Sequence, residues 1–567
     1  MQPLTPTTRF ADPQVSGQLG FRIGLARKRT GAYPLDTLDF ILMDLERPDR
    51  CSRQAHWCTG DLSGRVLEFL SCAEGVDGQT DPRLPELFER ILRQRRPSGL
   101  FGSVYGQSDV AEDHPEAGGD RLFPGLIRYY ELTGDWQALE AAVGIAERLM
   151  ASKDGWQAWV RERRPYFPIE AWISEPFARL YGLTGEQRYL DHCAFVAEQV
   201  DPSLSHLHSH GFLCTMRGLQ LAALYTGDLR WNEQPEYYRR LILDQRMTKP
   251  DGCLSECLLP NNFRNEGCAE ADWMQLNLYA ALLNGDAASY EEAEKILWNA
   301  VFHNQFITGG FGHRDLTPQG YGLAISEAWW CCTEHCGMAM AELARQVVTS
   351  TGPEVRVNFL IPGRYRLALP GHPDAEIEIA TDYPASAEAI IEARGLPEEY
   401  TLTVRVPGCV VRPELEETRV DGRRRVRLSG KLGHRVLSLP EGEVLTWGPL
   451  VLAPLTYYWD MGAETASSGA PAGYIPPTLP AGMPQLLPGA ADADGFVVLA
   501  HEPLPDWSYF DEGPGARVAV GQTSVHVPVR FPGGEERVLW FTPLCYNTSD
   551  MTYYETPILF ARSKGSA

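Results

Sequence analysis

The sequence is poor in basic charge: 51 Lys and Arg stand against 74 Asp and Glu, a net charge of −23. Such a surface repels a phosphate backbone, so nucleic acid is not an expected partner. No apolar run approaches the roughly 18 residues of a membrane span. The opening MQPLTPTTRFADPQ has no basic start followed by an apolar core, so no secretory signal is expected and a cytoplasmic location is. Low-complexity tails and coiled-coil heptads are missing. With 44% hydrophobic and 22% charged residues, the composition excludes disorder for most of the chain. The 13 cysteines are an odd number in a chain with no export signal, so disulfides are not expected and the thiols are free for packing, metal or catalysis. Aromatic residues (14 Trp, 23 Tyr) suit sugar-stacking surfaces as well as cores.

What is present divides the 567 residues by texture. Residues 1–350 read as a helical catalytic domain. A phrase recurs in which an apolar helical run stops at Gly134, Gly185, Gly227 or Gly285 and an acidic residue opens the next helix. Glycine closes the first helix in the left-handed conformation, and a carboxylate beside the next N-terminus caps its free N–H groups. Each copy is a helical hairpin. The uneven spacing of the four glycines and the long loops favour a closed double ring over a solenoid. Residues 351–460 carry short alternating runs such as EVRVNFLIPG, AEIEIATDYP and YTLTVRVPG, which predict a β-sandwich. In the remainder, 461–567, an Ala/Gly/Pro-rich stretch over 461–496 reads as an irregular excursion. Strand-like segments return at 497–500 and 516–543, as a second β module or as returning sandwich strands.

Reactive residues concentrate in two stretches, 251–283 and 326–344, which hold Cys253, Cys257, Cys268, Cys331, Cys332 and Cys336. Thiolates are strong zinc ligands, and a helix N-terminus lowers the cost of an anion at Glu266 and Cys268. Free cysteines most often simply pack, and the spacings 253/257 and 332/336 equally fit one helix face or a structural ribbon. The alternating His206, His208 and His210 read first as a surface loop, with substrate contact or a second metal site as rivals.

The chain resembles glycoside hydrolase family 127, the β-L-arabinofuranosidase family, and its wider relatives. The resemblance rests on WCTGDLSGRVLEFLSCA, GLIRYYELTGD, EPFARLYGLTGEQRYLD, Glu266-Gly267-Cys268 before a helix ending in NGD, the pair Cys331-Cys332, and the sandwich phrases RVNFLIPG, TDYP, LTVRVPG and TWGPLVLA. It implies an (α/α)6 barrel followed by β-sandwich modules, with a homodimer as one option. It also implies a Zn²⁺ held by Glu266, Cys268, Cys331 and Cys332, with Cys331 as nucleophile. The family's acid/base glutamate precedes a Leu-Pro-Asn phrase; here Leu259-Pro260-Asn261 follows Glu256, which takes that role. Where relatives carry Pro-Pro-Asn after the paired cysteines, this chain has Thr333-Glu334-His335, with Trp329 and Trp330 just before the pair. Glu334 and Glu270 stand as rival acid/bases, His335 and Cys336 as rival ligands.

The expected function is therefore a zinc-dependent retaining exo-glycosidase acting on an oligosaccharide or glycoside. One alternative is a carboxylate-only inverting glycosidase or lyase with a structural zinc, using Glu256, Glu270, Glu327 or Asp272. The other is a non-catalytic carbohydrate-binding protein.

Overall fold

The computed structural model describes residues 8–46, 60–102, 121–151, 153, 174–200, 208–258, 264–306, 308–317, 320–420, 423–454, 483–503, 523–546 and 558–562. Among the described residues, twelve helices of ten or more residues organise the first part. They are α1 (Gly17–Thr30), α2 (Asp61–Ala73), α3 (Leu84–Arg93), α4 (Leu122–Thr133), α5 (Trp136–Ala151), α6 (Glu175–Thr184), α7 (Gln187–Glu198), α8 (Ser209–Thr226), α9 (Glu233–Asp244), α10 (Gly267–Asn284), α11 (Ala287–Ile296) and α12 (Cys332–Gln346). The even-numbered helices form a closed ring: α2 packs on α4, and so on through α6, α8 and α10 to α12, which returns to α2. The odd-numbered helices pack outside them.

The sequence accounts for both layers. An inner helix is apolar or small almost all round, as α8 shows with every residue from Ser209 to Leu224 buried. An outer helix is amphipathic, as in α9, where Pro235, Tyr238, Arg239 and Ile242 are buried between charged neighbours. The hairpin turns form as expected. Gly134, Gly185, Gly227 and Gly285 have φ of +72°, +73°, +71° and +66°. The carboxylates of Asp135 and Asp286 each accept a backbone N–H in the next helix, and that of Asp228 accepts one in the 3-10 turn Leu229–Asn232 before α9; at the fourth turn the Glu186 side chain makes no such cap.

Three strands interrupt the helical part, which the helical reading of its first 345 or so residues did not anticipate. β3 (Arg264–Glu266), β4 (Gly312–Thr317) and β5 (Gly320–Glu327) form one antiparallel sheet, with Glu266 opposite His313. A second departure lies at the N-terminus. β1 (Thr8–Phe10) pairs antiparallel with Thr349–Thr351, and β2 (Asp12–Val15) with Gly363–Arg366, so residues 8–15 belong with the sheets that follow the helices. Strands of three and four residues have no periodicity to read, and their partners lie about 340 to 350 residues away.

Those sheets contain four and six strands, and a seven-stranded sheet closes the chain. The sheets are bonded to the helices. The buried Arg405 donates to Glu294 at the end of α11 (2.9 Å) and to the Asn358 carbonyl (2.6 Å). Arg22 of α1 donates to the carbonyls of Phe302 and Cys545. No helix among the described residues is long and apolar enough to cross a membrane.

Candidate metal centre and active site

The N-termini of α8, α10 and α12 meet. β3 ends at Glu266, which is the residue preceding α10, and Cys268 follows in the first turn. Cys331 precedes α12 and Cys332 opens it. Gly267 permits the approach of the two helices. A Cβ there would lie 3.0 Å from the Cys336 sulfur and 3.1 Å from the Cys332 Cβ, both on α12. The result is a buried cluster of Glu266, Cys268, Cys331 and Cys332 whose donor atoms all lie within 4.8 Å of one another. The Cys332 sulfur is 3.6 Å from those of both Cys268 and Cys331.

Burial pushes Glu266, Cys268 and Cys332 well above their ordinary pKa values. Glu266 Oε2 is buried and accepts no hydrogen bond. An acid and three thiols gathered this tightly need positive charge to make their ionised forms favourable, and Arg65 supplies some of it without offsetting the burial of Glu266. The positive ends of the α10 and α12 dipoles contribute part of that charge. A soft-to-borderline divalent metal with four ligands fits the donor set.

Glu256 stands beside this cluster. Its backbone N–H donates to the Arg264 carbonyl and its own carbonyl accepts from the Ser209 N–H, which fixes it between β3 and the start of α8. Its carboxylate, that of Glu266 and the His208 ring also have atoms within 4.8 Å of one another. His208 Nε2 is 3.4 Å from Glu266 and 4.0 Å from Glu256, and His313 Nε2 is 3.9 Å from Glu256. Arg264 reaches Glu256 Oε2 at 2.9 Å. Burial pushes His208 down to about 4 and lowers His313, so both rings are neutral at pH 7. Cys331 is 7% exposed, and the Glu256 side chain 18%. At the rim, Trp329 packs edge-on against Trp330 (5.2 Å between centroids) and lies 5.3 Å from Phe40.

The histidine triplet is not a surface loop over its described part. His208 is largely buried, and His210, 1% exposed, sits in the first turn of α8. His206 lies outside the described residues. Two of the carboxylates offered as rivals are otherwise engaged. Glu327 pairs with Arg29, and Asp272 pairs with His210, His335 and Arg217. Glu270 and Glu334 are fully buried acids that burial holds well above the usual carboxylate range. Cys336 donates to the Gly267 carbonyl (3.1 Å), and Cys253, Cys257 and Cys336 join no metal-competent cluster among the described residues.

A second buried group, His210, Cys214, Asp272 and His335, also has donor atoms within 4.8 Å of one another. Here guanidiniums already occupy the positive role. Arg217 Nη2 lies 3.2 Å from Asp272 and 3.5 Å from the Cys214 sulfur, and Arg121 bonds His210 Nε2. The histidines and Arg217 hold Asp272 well below the usual carboxylate range against its burial. Deeper in the ring, Arg217 continues to Glu175 (2.8 Å), which also meets Arg179 (3.0 Å) and Arg128 (3.8 Å); Glu342 closes the cage on Arg128 (2.9 Å). Sequence reading found none of this cage, because its members are spread over four helices and no local pattern marks them.

Residues 119–354 match the family described as β-L-arabinofuranosidase, GH127 catalytic domain. No curated protein matches. Three solved structures are similar over nearly their full lengths. One is a GH127 β-arabinofuranosidase at 15% identity, covering 99% of this chain and 98% of that one, with a TM-score of 0.67. Another is a GH127 β-L-arabinofuranosidase from Geobacillus stearothermophilus T6 at 14% identity, covering 95% and 98%, with a TM-score of 0.65. The third, titled a glycoside hydrolase, has 15% identity, covers 99% and 100%, and has a TM-score of 0.61. At these identities the likeness is one of fold.

Proposed function

From the premise that residues 119–354 belong to the glycoside hydrolase family 127 catalytic domain, and the chain is thus a glycoside hydrolase, we propose a zinc-dependent retaining exo-enzyme. Its substrate is a β-L-arabinofuranoside or a closely related sugar. The helical ring is read as an (α/α)6 barrel whose open end carries the site. The observation that carries the proposal is the four-donor set Glu266, Cys268, Cys331 and Cys332 within 4.8 Å, beside Glu256.

Those four residues would hold the zinc, which keeps its sulfur ligands ionised at neutral pH. The rest of the chemistry is the chain's own. The Cys331 sulfur attacks the anomeric carbon, and the bond from that carbon to the departing oxygen breaks. Glu256 gives its proton to that oxygen. The glycosyl-thioether is then hydrolysed: Glu256 takes a proton from water, the water oxygen bonds the anomeric carbon, and the sulfur leaves as thiolate. The second attack restores the original configuration. Neutral His208 and His313 flank the two carboxylates and can bond sugar hydroxyls, while Phe40, Trp329 and Trp330 offer apolar faces to a sugar ring.

The test combines metal analysis with turnover. The purified protein is expected to carry about one equivalent of zinc, as a single four-ligand site requires. Cys331→Ser is expected to abolish hydrolysis of aryl β-L-arabinofuranosides while the protein stays folded, and the wild type to release the retained anomer. Full activity in the serine variant, or an inverted product, refutes the thiolate nucleophile.

A further inference from the structure

Asp272 joins the three helices that meet at the cluster. It lies in α10, four residues after Cys268, and is fully buried. Its Oδ1 accepts from His335 Nε2 at 2.7 Å and its Oδ2 is bonded to His210 Nδ1. His335 lies in the first turn of α12, where its backbone N–H bonds the Cys331 carbonyl (3.1 Å). His210 lies in the first turn of α8, two residues after His208. The His335 ring therefore ties the first turn of α12 to the second turn of α10. Cys332 opens α12 and Cys268 lies one turn before Asp272 on α10, and their sulfurs must converge on one ion. Arg217 on Asp272 and Arg121 on His210 bring guanidinium charge into the network, while the buried His335 Nδ1 makes no hydrogen bond.

We propose that Asp272 and His335 are positioning residues for the thiolate set, their hydrogen bond fixing the spacing of α10 and α12 and with it the geometry that Cys268 and Cys332 offer to zinc. This role rests on the zinc-site reading above. Partners behind metal ligands act in this way, and their removal costs about 10- to 100-fold in metal affinity.

The experiment measures zinc affinity of the full chain by chelator competition, alongside the absorption of the cobalt(II)-substituted protein and the melting of the metal-free chain. H335A is expected to bind zinc about 10- to 100-fold more weakly, with a shifted and weakened cobalt–thiolate band. H335Q, whose amide can still donate to Asp272, is expected to recover most of the affinity. If H335A does not fold, D272N replaces it and must show the same weakening. Wild type and H335A binding zinc equally tightly overturns the positioning role and leaves the zinc site standing. H335Q as weak as H335A, with both melting like the wild type, overturns the hydrogen-bond argument. A wild-type chain that takes up no zinc overturns the site reading and this role together.

Discussion

Replacing Glu175 by glutamine removes the negative charge at the middle of the arginine cage. The carboxylate faces Arg217, Arg179 and Arg128 at 2.8, 3.0 and 3.8 Å, and is almost fully buried. Burial alone would raise its pKa; the three guanidiniums overcome that and hold it at about 2, against 4.5 for an ordinary glutamate. That is a depression of about 2.5 units, or about 3 kcal/mol at 1.36 kcal/mol per unit. The folded pKa is lowered, so this stability is fully present above about pH 4.5 and is lost as the pH falls from there to about 2. E175Q should therefore melt well below the wild type at pH 7, by far-ultraviolet circular dichroism, with the gap constant down to about pH 5 and narrowing below it. The uncompensated guanidiniums add to the loss, since Glu342, Asp272 and the more exposed Glu131 are the acids left to answer three buried cations. Equal melting of the two proteins at pH 7, or a gap that widens towards acid, would refute the electrostatic account of the cage.

Two further substitutions probe other parts of the ring. Asp44 is buried, and burial raises it to about 7 although Ser63 donates to it through both N–H and hydroxyl. Its folded pKa is raised, so stability is lost as pH rises from about 4 to about 7; D44N, which keeps the acceptor, should melt above the wild type at pH 8, with the advantage shrinking towards pH 4. A Cβ on Gly64 would lie 2.3 Å from the Arg121 carbonyl carbon, inside the α2–α4 crossing. G64A should thus cost about 1–3 kcal/mol of stability, read as a lowered melting temperature, and an unchanged one counts against the close crossing.

How much of this was legible in the sequence follows the range of the interactions. The hairpins were, because glycine and carboxylate act within a turn. The strands Glu376–Thr381 and Arg423–Lys431 were, because alternation is local too. Ring closure was only favoured, since helix spacing does not fix which helix meets which. The four-donor cluster came from the family resemblance; the cysteines alone allowed packing or a ribbon. Asp272 was weighed as an acid and His335 as a ligand. Their actual bond links positions 63 residues apart, and no spacing rule reaches that far. His208 and His210 were misread because polarity suggests exposure, whereas here both imidazoles are largely buried inside the ring, His208 beside Glu266 and His210 bonded to Asp272.

The placement of residues 8–15 sets an order of assembly. Their partners, residues 349–351 and 363–366, leave the ribosome only after the whole helical ring has been synthesised. Residues 8–15, made before the ring, must therefore stay unpaired throughout its synthesis, and they dock after the helices have already had time to collapse. A change that keeps them from docking would leave the rims of two sheets open to neighbouring molecules.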